Sequence, residues 1–174
     1  MPKNPPLPVF LDPTAQICVI PAPFGRLGIQ TEIVDGSLMV ARITYLTAQT
    51  DLQSPNNDLA KELACQCAHY FQNANFVFDI PLKPAGTLHQ QKVWATVAKI
   101  PVGLTTTYGA IAKKIKSGPR AVGAACGANH YPLVIPCHRV VAANHLGGFM
   151  QEDTPGFNRQ IKQWLLHHEG VIVD

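Results

Sequence analysis

Most of the chemistry this chain can offer is packed into Cys137, His138 and Arg139, a nucleophile, an imidazole and a guanidinium in succession, preceded by Pro136 and followed by Val140-Val141. A cysteine attacks as its thiolate, and an unassisted thiol with a pKa near ~8.5 is only a few per cent ionised at neutral pH. Cys137 therefore needs neighbours that favour ionisation. Leu133-Val134-Ile135 reads as a buried strand running into the cluster. On a regular strand adjacent side chains point to opposite faces, so a contact between Cys137 and His138 would require a bend or a bridging water. Spacing alone leaves a blander alternative open: a buried structural cysteine beside a surface histidine, free cysteine being among the most buried residue types.

The elements that must hold this cluster come just before it. Thr107 can cap a short helix carrying Ile111, Ala112 and Ile115, and after Lys116-Ser117-Gly118 a second helix can begin with Pro119 in its first position. Two short helices about a tight turn predict a helix-turn-helix. The second helix, Arg120-Ala121-Val122-Gly123-Ala124-Ala125-Cys126-Gly127, has little bulk beyond Arg120, Val122 and Cys126, a choice that weakens a helix by about 1 kcal/mol per glycine relative to alanine. Something must approach it closely, either the protein's own core or a partner. Upstream, Val93, Trp94, Val97 and Ile100 mark a helical face that Pro101 and Gly103 terminate.

The first half of the chain is built differently. Ile17 to Ile20, Leu27 to Val34 and Leu38 to Leu46 are rich in β-branched residues, with Asp35-Gly36 as a hairpin signal between the last two. Leu59, Leu63, Cys67, Tyr70 and Phe71 then recur at helical spacing behind Asn57 or Asp58 as cap. The expected fold is α+β: a small N-terminal antiparallel sheet with a helix, followed by a mainly helical C-terminal domain containing a helix-turn-helix. The expected segments are an extended proline-rich arm over 1–14, a sheet-and-helix domain over 15–86 and a domain carrying the chemistry over 87–174. Seven of the first 23 residues are proline.

Composition excludes several classes. With 47% hydrophobic and 14% charged residues, the chain is not disordered. No apolar run approaches the roughly 20 residues that span a bilayer, and the start lacks a secretory signal, so the expectation is a cytoplasmic protein with no membrane association. Five cysteines at irregular spacing are not a disulfide framework. Cys65, Cys67 and His69 fit no strong zinc pattern, and no metal or other cofactor is expected. Residues 1–89 carry five Lys/Arg against seven Asp/Glu, and residues 90–174 nine against four, so the positive charge is in the second half. That asymmetry suits a polyanion-binding domain, although solubilising surface lysines would produce it too.

Taken together, Pro136-Cys137-His138-Arg139-Val140 resembles the active-site signature of the methylated-DNA–protein-cysteine methyltransferases, the O6-alkylguanine-DNA alkyltransferase family. The resemblance extends through Gly86-Thr87, Gln90, Val93-Trp94, Ile100-Pro101-x-Gly103-x-Thr105, Tyr108-Gly109-x-Ile111-Ala112, Arg120-Ala121-Val122-Gly123, Gly147-Gly148-Phe149 and Leu165-Leu166-x-x-Glu169-Gly170. It implies direct-reversal repair: an O6-alkylguanine, with O4-alkylthymine as a second candidate, is flipped from double-stranded DNA and its alkyl group moves irreversibly to Cys137. It implies further that a water links Cys137 to His138, that Glu169 holds the imidazole, and that Asn129 fixes the turn before the active-site strand. Tyr108 would meet the flipped base and its 3′ phosphate, and Lys162 would help protonate the leaving guanine. Arg120 would fill the hole left by the base, with Ala121, Gly123, Ala124, Thr107 and Tyr108 against DNA. Pro132, Val140, Gly148, Phe149 and Met150 would line the substrate pocket, in a protein acting as a monomer. As bare residues, Tyr108 and Lys162 read as core and surface.

The sequence departs from the family in four places. His130 replaces a proline, the turn between Ile115 and Arg120 is short, residues 150–156 look inserted, and His89 stands where phenylalanine is common, with altered packing as the expected result. Rival readings are weaker. A non-catalytic relative would lack the acceptor cysteine, a cysteine hydrolase would draw its histidine from a distant segment, and a helix of Ala and Gly reads few base edges in a major groove.

Overall fold

The β-branched runs form three antiparallel strands in the order β1 (Gln16–Ala22), β2 (Gly25–Val34) and β3 (Ser37–Leu46). They belong to a computed structural model that describes residues 16–147 and 156–171; the proline-rich arm over 1–14 lies outside the described residues. The turn between β2 and β3 is Asp35-Gly36, with φ of 50° and 80°, the left-handed pair that a two-residue hairpin requires and that Asp and Gly tolerate best. Helix α1 (Asp58–Gln72) starts where Asn57 accepts a hydrogen bond from the Ala60 amide at 2.8 Å. Its buried residues Ala60, Leu63, Cys67 and Tyr70 recur at three- and four-residue steps, a single stripe laid against the sheet. Gln66, also buried, donates to the Asp79 carbonyl at 2.8 Å and accepts from the Asp79 amide at 2.9 Å, so one side-chain amide ties down the segment after the helix.

The chain divides into two units between Lys83 and Pro84. In the second unit, α2 (Leu88–Val97) opens with a reciprocal cap: the Gln90 amide donates to Thr87 Oγ1 and the Gln90 side chain accepts from the Thr87 amide. The two short helices expected about a tight turn are α3 (Tyr108–Ile115) and α4 (Pro119–Gly127). Thr107 caps the first, accepting from the Ala110 amide at 3.0 Å, and Pro119 stands at the start of the second. Lys116, at a φ of 58°, reverses the chain between them. Two ties fix this pair to α2: Trp94 Nε1 donates to the Ala125 carbonyl at 2.8 Å, and His89 Nε2 bonds Ser117 Oγ at 2.8 Å. His89 is thus a polar strut to the helix-turn-helix turn, where a phenylalanine could only pack.

Two features were not anticipated. Helix α5 (Phe157–His168) ends in a glycine motif: the Gly170 amide donates to the His167 carbonyl and the Val171 amide to that of Leu166, with Gly170 at a φ of 84°. A two-residue parallel pair, β4 (Thr106–Thr107) with β5 (Val140–Val141), joins the start of the helix-turn-helix to the segment just after the Cys-His-Arg cluster. The α+β class holds, with sheet first and helices second. Among the described residues no helix is long and apolar enough to cross a membrane.

Candidate active site

The expected strand over Leu133-Val134-Ile135 is not a strand. Asn129, at the end of α4, replaces it with a turn: its Oδ1 accepts from the Tyr131 amide and its Nδ2 donates to the Ile135 carbonyl, each at 2.9 Å. The Ile135 amide closes on the Tyr131 carbonyl at 2.8 Å, and Leu133 sits at a φ of 78°. A leucine in that region costs roughly 1–2 kcal/mol. It persists because the turn is tied at both ends and the Leu133 side chain is buried. The apolar pattern predicted a buried strand, but of the three residues only Leu133 is buried, and no strand forms because one asparagine amide satisfies backbone groups that a strand would have offered to a neighbour.

Cys137–Arg139 then forms a single 3₁₀ turn, with the Cys137 amide bonded to the Ile135 carbonyl at 2.8 Å. At three residues per turn, successive side chains diverge by about 120° and not by the half-turn of a strand. This is the bend that a partnership between Cys137 and His138 requires. The alternative of a surface histidine is overturned: His138 is 1% exposed and Cys137 2%.

Helix α5 and its cap supply the partners. Lys162 and Glu169 are seven residues apart, two helical turns, so they project from one face. Glu169 Oε1 lies 2.8 Å from His138 Nε2. The same carboxylate receives Arg139 Nε at 2.9 Å and Nη2 at 2.8 Å, and Arg139 Nη1 donates to the Ile100 carbonyl at 2.6 Å. Burial alone would raise the Glu169 carboxyl, but the hydrogen bonds from His138 and Arg139 outweigh it and bring the pKa down to about 2. Burial depresses His138 below its ordinary value against the opposing pull of Glu169, so the imidazole is neutral. An ionised carboxylate only accepts, which assigns the proton to Nε2 and leaves Nδ1 as an acceptor. Nδ1 is buried and has no hydrogen-bond partner among the described residues.

Lys162 is fully buried, not on the surface, and donates to the Val140 carbonyl at 2.7 Å and to the Tyr108 hydroxyl at 3.5 Å. Burial lowers its pKa to about 8, partly offset by attraction to Cys126 and Cys137. Tyr108 is half-buried. Gly147, at a φ of 78°, lets the chain pass it, because a Cβ there would stand 3.0 Å from the Tyr108 ring. Interaction with Cys126 and burial hold Cys137 well above the ordinary thiol range, with Asn129 and Lys162 pulling the other way. The same interaction lowers Cys126.

The structure thus gathers Cys137, His138, Glu169, Lys162, Asn129 and Tyr108, with Pro132 and Val140 buried nearby in sequence. Arg120, Ala121 and Ala124 are exposed on α4, and Thr107 is half-buried. Gly123 is half-buried over Tyr108, whose ring would lie 4.0 Å from a Cβ. The proposed pocket residues Gly148, Phe149 and Met150, with most of the apparent insertion, lie outside the described residues. Among the described residues no His, Cys, Asp and Glu group could hold a metal ion; Cys65 and His69 are exposed on α1 while Cys67 is buried. Sequence reasoning assigned no role to two residues of the network. Arg139 carried a signal, a guanidinium within a buried apolar segment; Cys126 carried none beyond its place among small residues.

Comparison with known proteins gives consistent matches. Residues 88–171 match the family model for the 6-O-methylguanine DNA methyltransferase DNA binding domain. A methylated-DNA–protein-cysteine methyltransferase of Archaeoglobus fulgidus is 31% identical over 129 residues, 74% of this chain and 85% of that protein. One from Methanosarcina mazei is 43% identical over 91 residues, 51% of this chain and 58% of the relative. The crystal structure of Mycobacterium tuberculosis OGT in complex with DNA superposes with a TM-score of 0.70 at 29% identity, covering 88% of this chain and 92% of that one.

Proposed function

The chain belongs to the methylated-DNA–protein-cysteine methyltransferase family, a DNA-repair family that moves alkyl groups to a cysteine, and from that premise we propose how its own residues divide the work. Cys137 is the acceptor. The observation that carries this reading is the buried hydrogen bond between His138 and Glu169 in the turn that follows Cys137 directly. It fixes the imidazole in the tautomer whose Nδ1 accepts a proton, and a buried acceptor without a partner among the described residues calls for water. A water bonded to Nδ1 and to the thiol passes the Cys137 proton to His138, and Glu169 balances the imidazolium that results.

The sulfur then attacks the alkyl carbon in line with guanine O6. The carbon–oxygen bond breaks, a thioether forms on Cys137, and guanine leaves with the bonding electrons and takes up a proton. Lys162, still mostly protonated near neutral pH and bonded to Tyr108, supports that proton transfer. A thioether is a very poor leaving group, so each molecule acts once.

The alkylated guanine must leave the stack to reach a buried sulfur, at a cost of about a few kcal/mol. Helix α4 serves this step. Its exposed face of Arg120, Ala121 and Ala124 is low enough to approach a minor groove, with Arg120 taking the place of the extruded base. One copy of the chain acts on double-stranded DNA, with O6-alkylguanine as the preferred lesion.

The test is intact-protein and peptide mass spectrometry after incubation with a duplex bearing one O6-methylguanine. One methyl added to the Cys137 peptide, saturating at one equivalent, is the expected result. A protein that binds the lesion and stays unmodified would overturn the assignment.

A further inference from the structure

Alkyl transfer makes no direct use of Arg139, whose guanidinium is nevertheless tied down at three nitrogens. Nε and Nη2 each donate to a different oxygen of Glu169, at 2.9 and 2.8 Å, the two-pronged fit of a planar guanidinium to a planar carboxylate. Nη1 donates to the Ile100 carbonyl at 2.6 Å, which anchors the fork to the segment after α2. The oxygen that takes Nη2, Oε1, is also the one that takes His138 Nε2, at 2.8 Å. A carboxylate gripped at both oxygens by a fixed plane has lost its rotation, so the remaining lone pair of Oε1 keeps one direction, toward the imidazole.

The same contacts set a charge balance. The Glu169 side chain is fully buried and that of Arg139 is 13% exposed. A buried carboxylate demands a counter-ion. Were Arg139 absent, His138 would fill that place by drawing a second proton onto Nδ1 and staying an imidazolium. An imidazolium donates from both nitrogens and has no acceptor left for a thiol proton. With Arg139 in place Glu169 already has its cation, and the imidazole rests neutral. His138 and Arg139 reach one oxygen, so they stand within the range over which one charge shifts the protonation of another group. The charged groups acting on His138 are Glu169 at the end of α5, Arg139 beside it and Lys162 on α5. Helix α2 packs against the same turn, and its buried residues Val93, Trp94 and Val97 do not titrate. Burial does most to hold the imidazole below its ordinary range; Glu169 opposes this, and Arg139 and Lys162 reinforce it.

We propose that Arg139 is a positioning residue for the transfer: its fork aims Glu169 at His138 Nε2, and its charge is the counter-ion that leaves Nδ1 free to take the Cys137 proton. The consequence for transfer rests on Cys137 as acceptor and His138 as its base; the hold of Arg139 on the tautomer and charge of His138 does not. Two attributes of arginine divide the role. The charge sets how readily His138 is protonated from solvent, and the fork sets where the imidazole points. Lysine keeps the charge but is a point cation without a planar fork. Glutamine keeps an amide donor and has no charge.

The experiment uses the full chain as wild type, Arg139→Lys and Arg139→Gln, with two readouts. Nitrogen-15 spectra of the imidazoles, with His138 identified by the signals lost in His138→Gln, report its tautomer and titration. Single-turnover methyl gain from an O6-methylguanine duplex, read by intact mass across a pH series, reports transfer. Wild-type His138 should be neutral around neutral pH with its proton on Nε2. In Arg139→Gln the His138 titration and the acid limit of transfer should rise together, by about one pH unit or more. In Arg139→Lys both should stay near the wild-type position, while the plateau rate of transfer falls by up to about 100-fold. A wild-type His138 that is charged around neutral pH, or that carries its proton on Nδ1, would overturn the proposal without recourse to a variant. So would an Arg139→Gln protein whose His138 titrates as in wild type, or an Arg139→Lys protein with the wild-type plateau rate. If the His138 titration moves as expected and the acid limit of transfer does not follow, the hold of Arg139 on the imidazole stands. The assignment of His138 as base then fails, and with it the part of Arg139 in transfer.

Discussion

Each unit of this protein buries two cysteines, and their surroundings could hardly differ more. In the first unit, burial pushes Cys18 up to about 11 and Cys67 up to about 12. Their interior is made of residues such as Val19, Leu27, Ile29, Val40 and Leu63, which offer a thiolate nothing. In the second unit, Cys126 and Cys137 are as deeply placed, but beside them stand an ammonium, an asparagine amide and an imidazole tied to a carboxylate. Burial alone makes a cysteine a small hydrophobe. It becomes a nucleophile where the protein also buries groups that can take its proton and hold its charge.

The largest expected effect separates the two pairs outright. Cys137→Ser should abolish methyl gain from an O6-methylguanine duplex, read by intact mass, because a hydroxyl ionises far less readily than a thiol. Cys67→Ser should leave the gain at one equivalent and lower stability, by about 1 kcal/mol, as one polar atom enters an apolar core. If Cys67→Ser abolished methyl gain while still folding, the contrast would be wrong.

Glu169 is the next lever. Its removal in Glu169→Ala leaves the buried His138 and the half-buried Arg139 without their shared carboxylate, a change expected to cost about 3–5 kcal/mol in urea unfolding and to slow methyl transfer. The carboxyl also gives the second unit an acid limit. Its folded pKa of about 2 lies below the ordinary 4.5, so between those values the unfolded chain binds the proton that the native state refuses. The contribution is complete above about 4.5 and is lost as the pH falls through about 2. Thermal unfolding followed over that range should show a steeper loss for wild type than for Glu169→Gln, which has no proton to take up. Parallel curves would show that Glu169 is not held by its two partners.

Two buried amides sharpen the comparison further, since each pins a loop by accepting from and donating to backbone. Gln66 does so in the first unit and Asn129 in the second. Substitution of either by alanine strands buried polar groups and should cost about 1–3 kcal/mol. Asn129→Ala should also slow transfer, because its turn presents Cys137, whereas Gln66→Ala should transfer at the wild-type rate once folded. Single-turnover rates at a temperature where both variants are native decide between a local and a general effect.

How much of this was legible beforehand follows the same division. The hairpin at Asp35-Gly36, the Asn57 and Thr107 caps and the Pro119 helix start were readable because each is a local rule, settled by residues within a turn of one another. The segment over 133–135 was misread because its local pattern is that of a strand, and what converts it into a turn is the Asn129 side chain acting across six residues. Helix α5 escaped notice although Ile161, Leu165 and Leu166 recur at helical spacing ahead of Gly170. Arg139 and Cys126 were present in the quoted motifs, but their partners, Glu169, Ile100 and Cys137, are set by packing that no spacing rule reaches.

The smallest effect concerns the surface. Arg120 is exposed, and its replacement by alanine should change stability by no more than about 0.5 kcal/mol, as for other surface substitutions away from special features. The role proposed for it, holding an extruded base open, makes a separable prediction. Arg120→Ala should slow transfer from a duplex, where flipping must be sustained, and leave transfer from free O6-methylguanine base unchanged, because that substrate has no stack to leave. Lys61, an exposed cation on α1, is the matched control: Lys61→Ala should affect neither reaction. Equal slowing of both reactions by Arg120→Ala would mean that the residue acts on the Cys137 site itself and not on the DNA. An effect of Lys61→Ala matching that of Arg120→Ala on the duplex would mean that any positive charge serves, and that α4 has no special place at the damaged base pair.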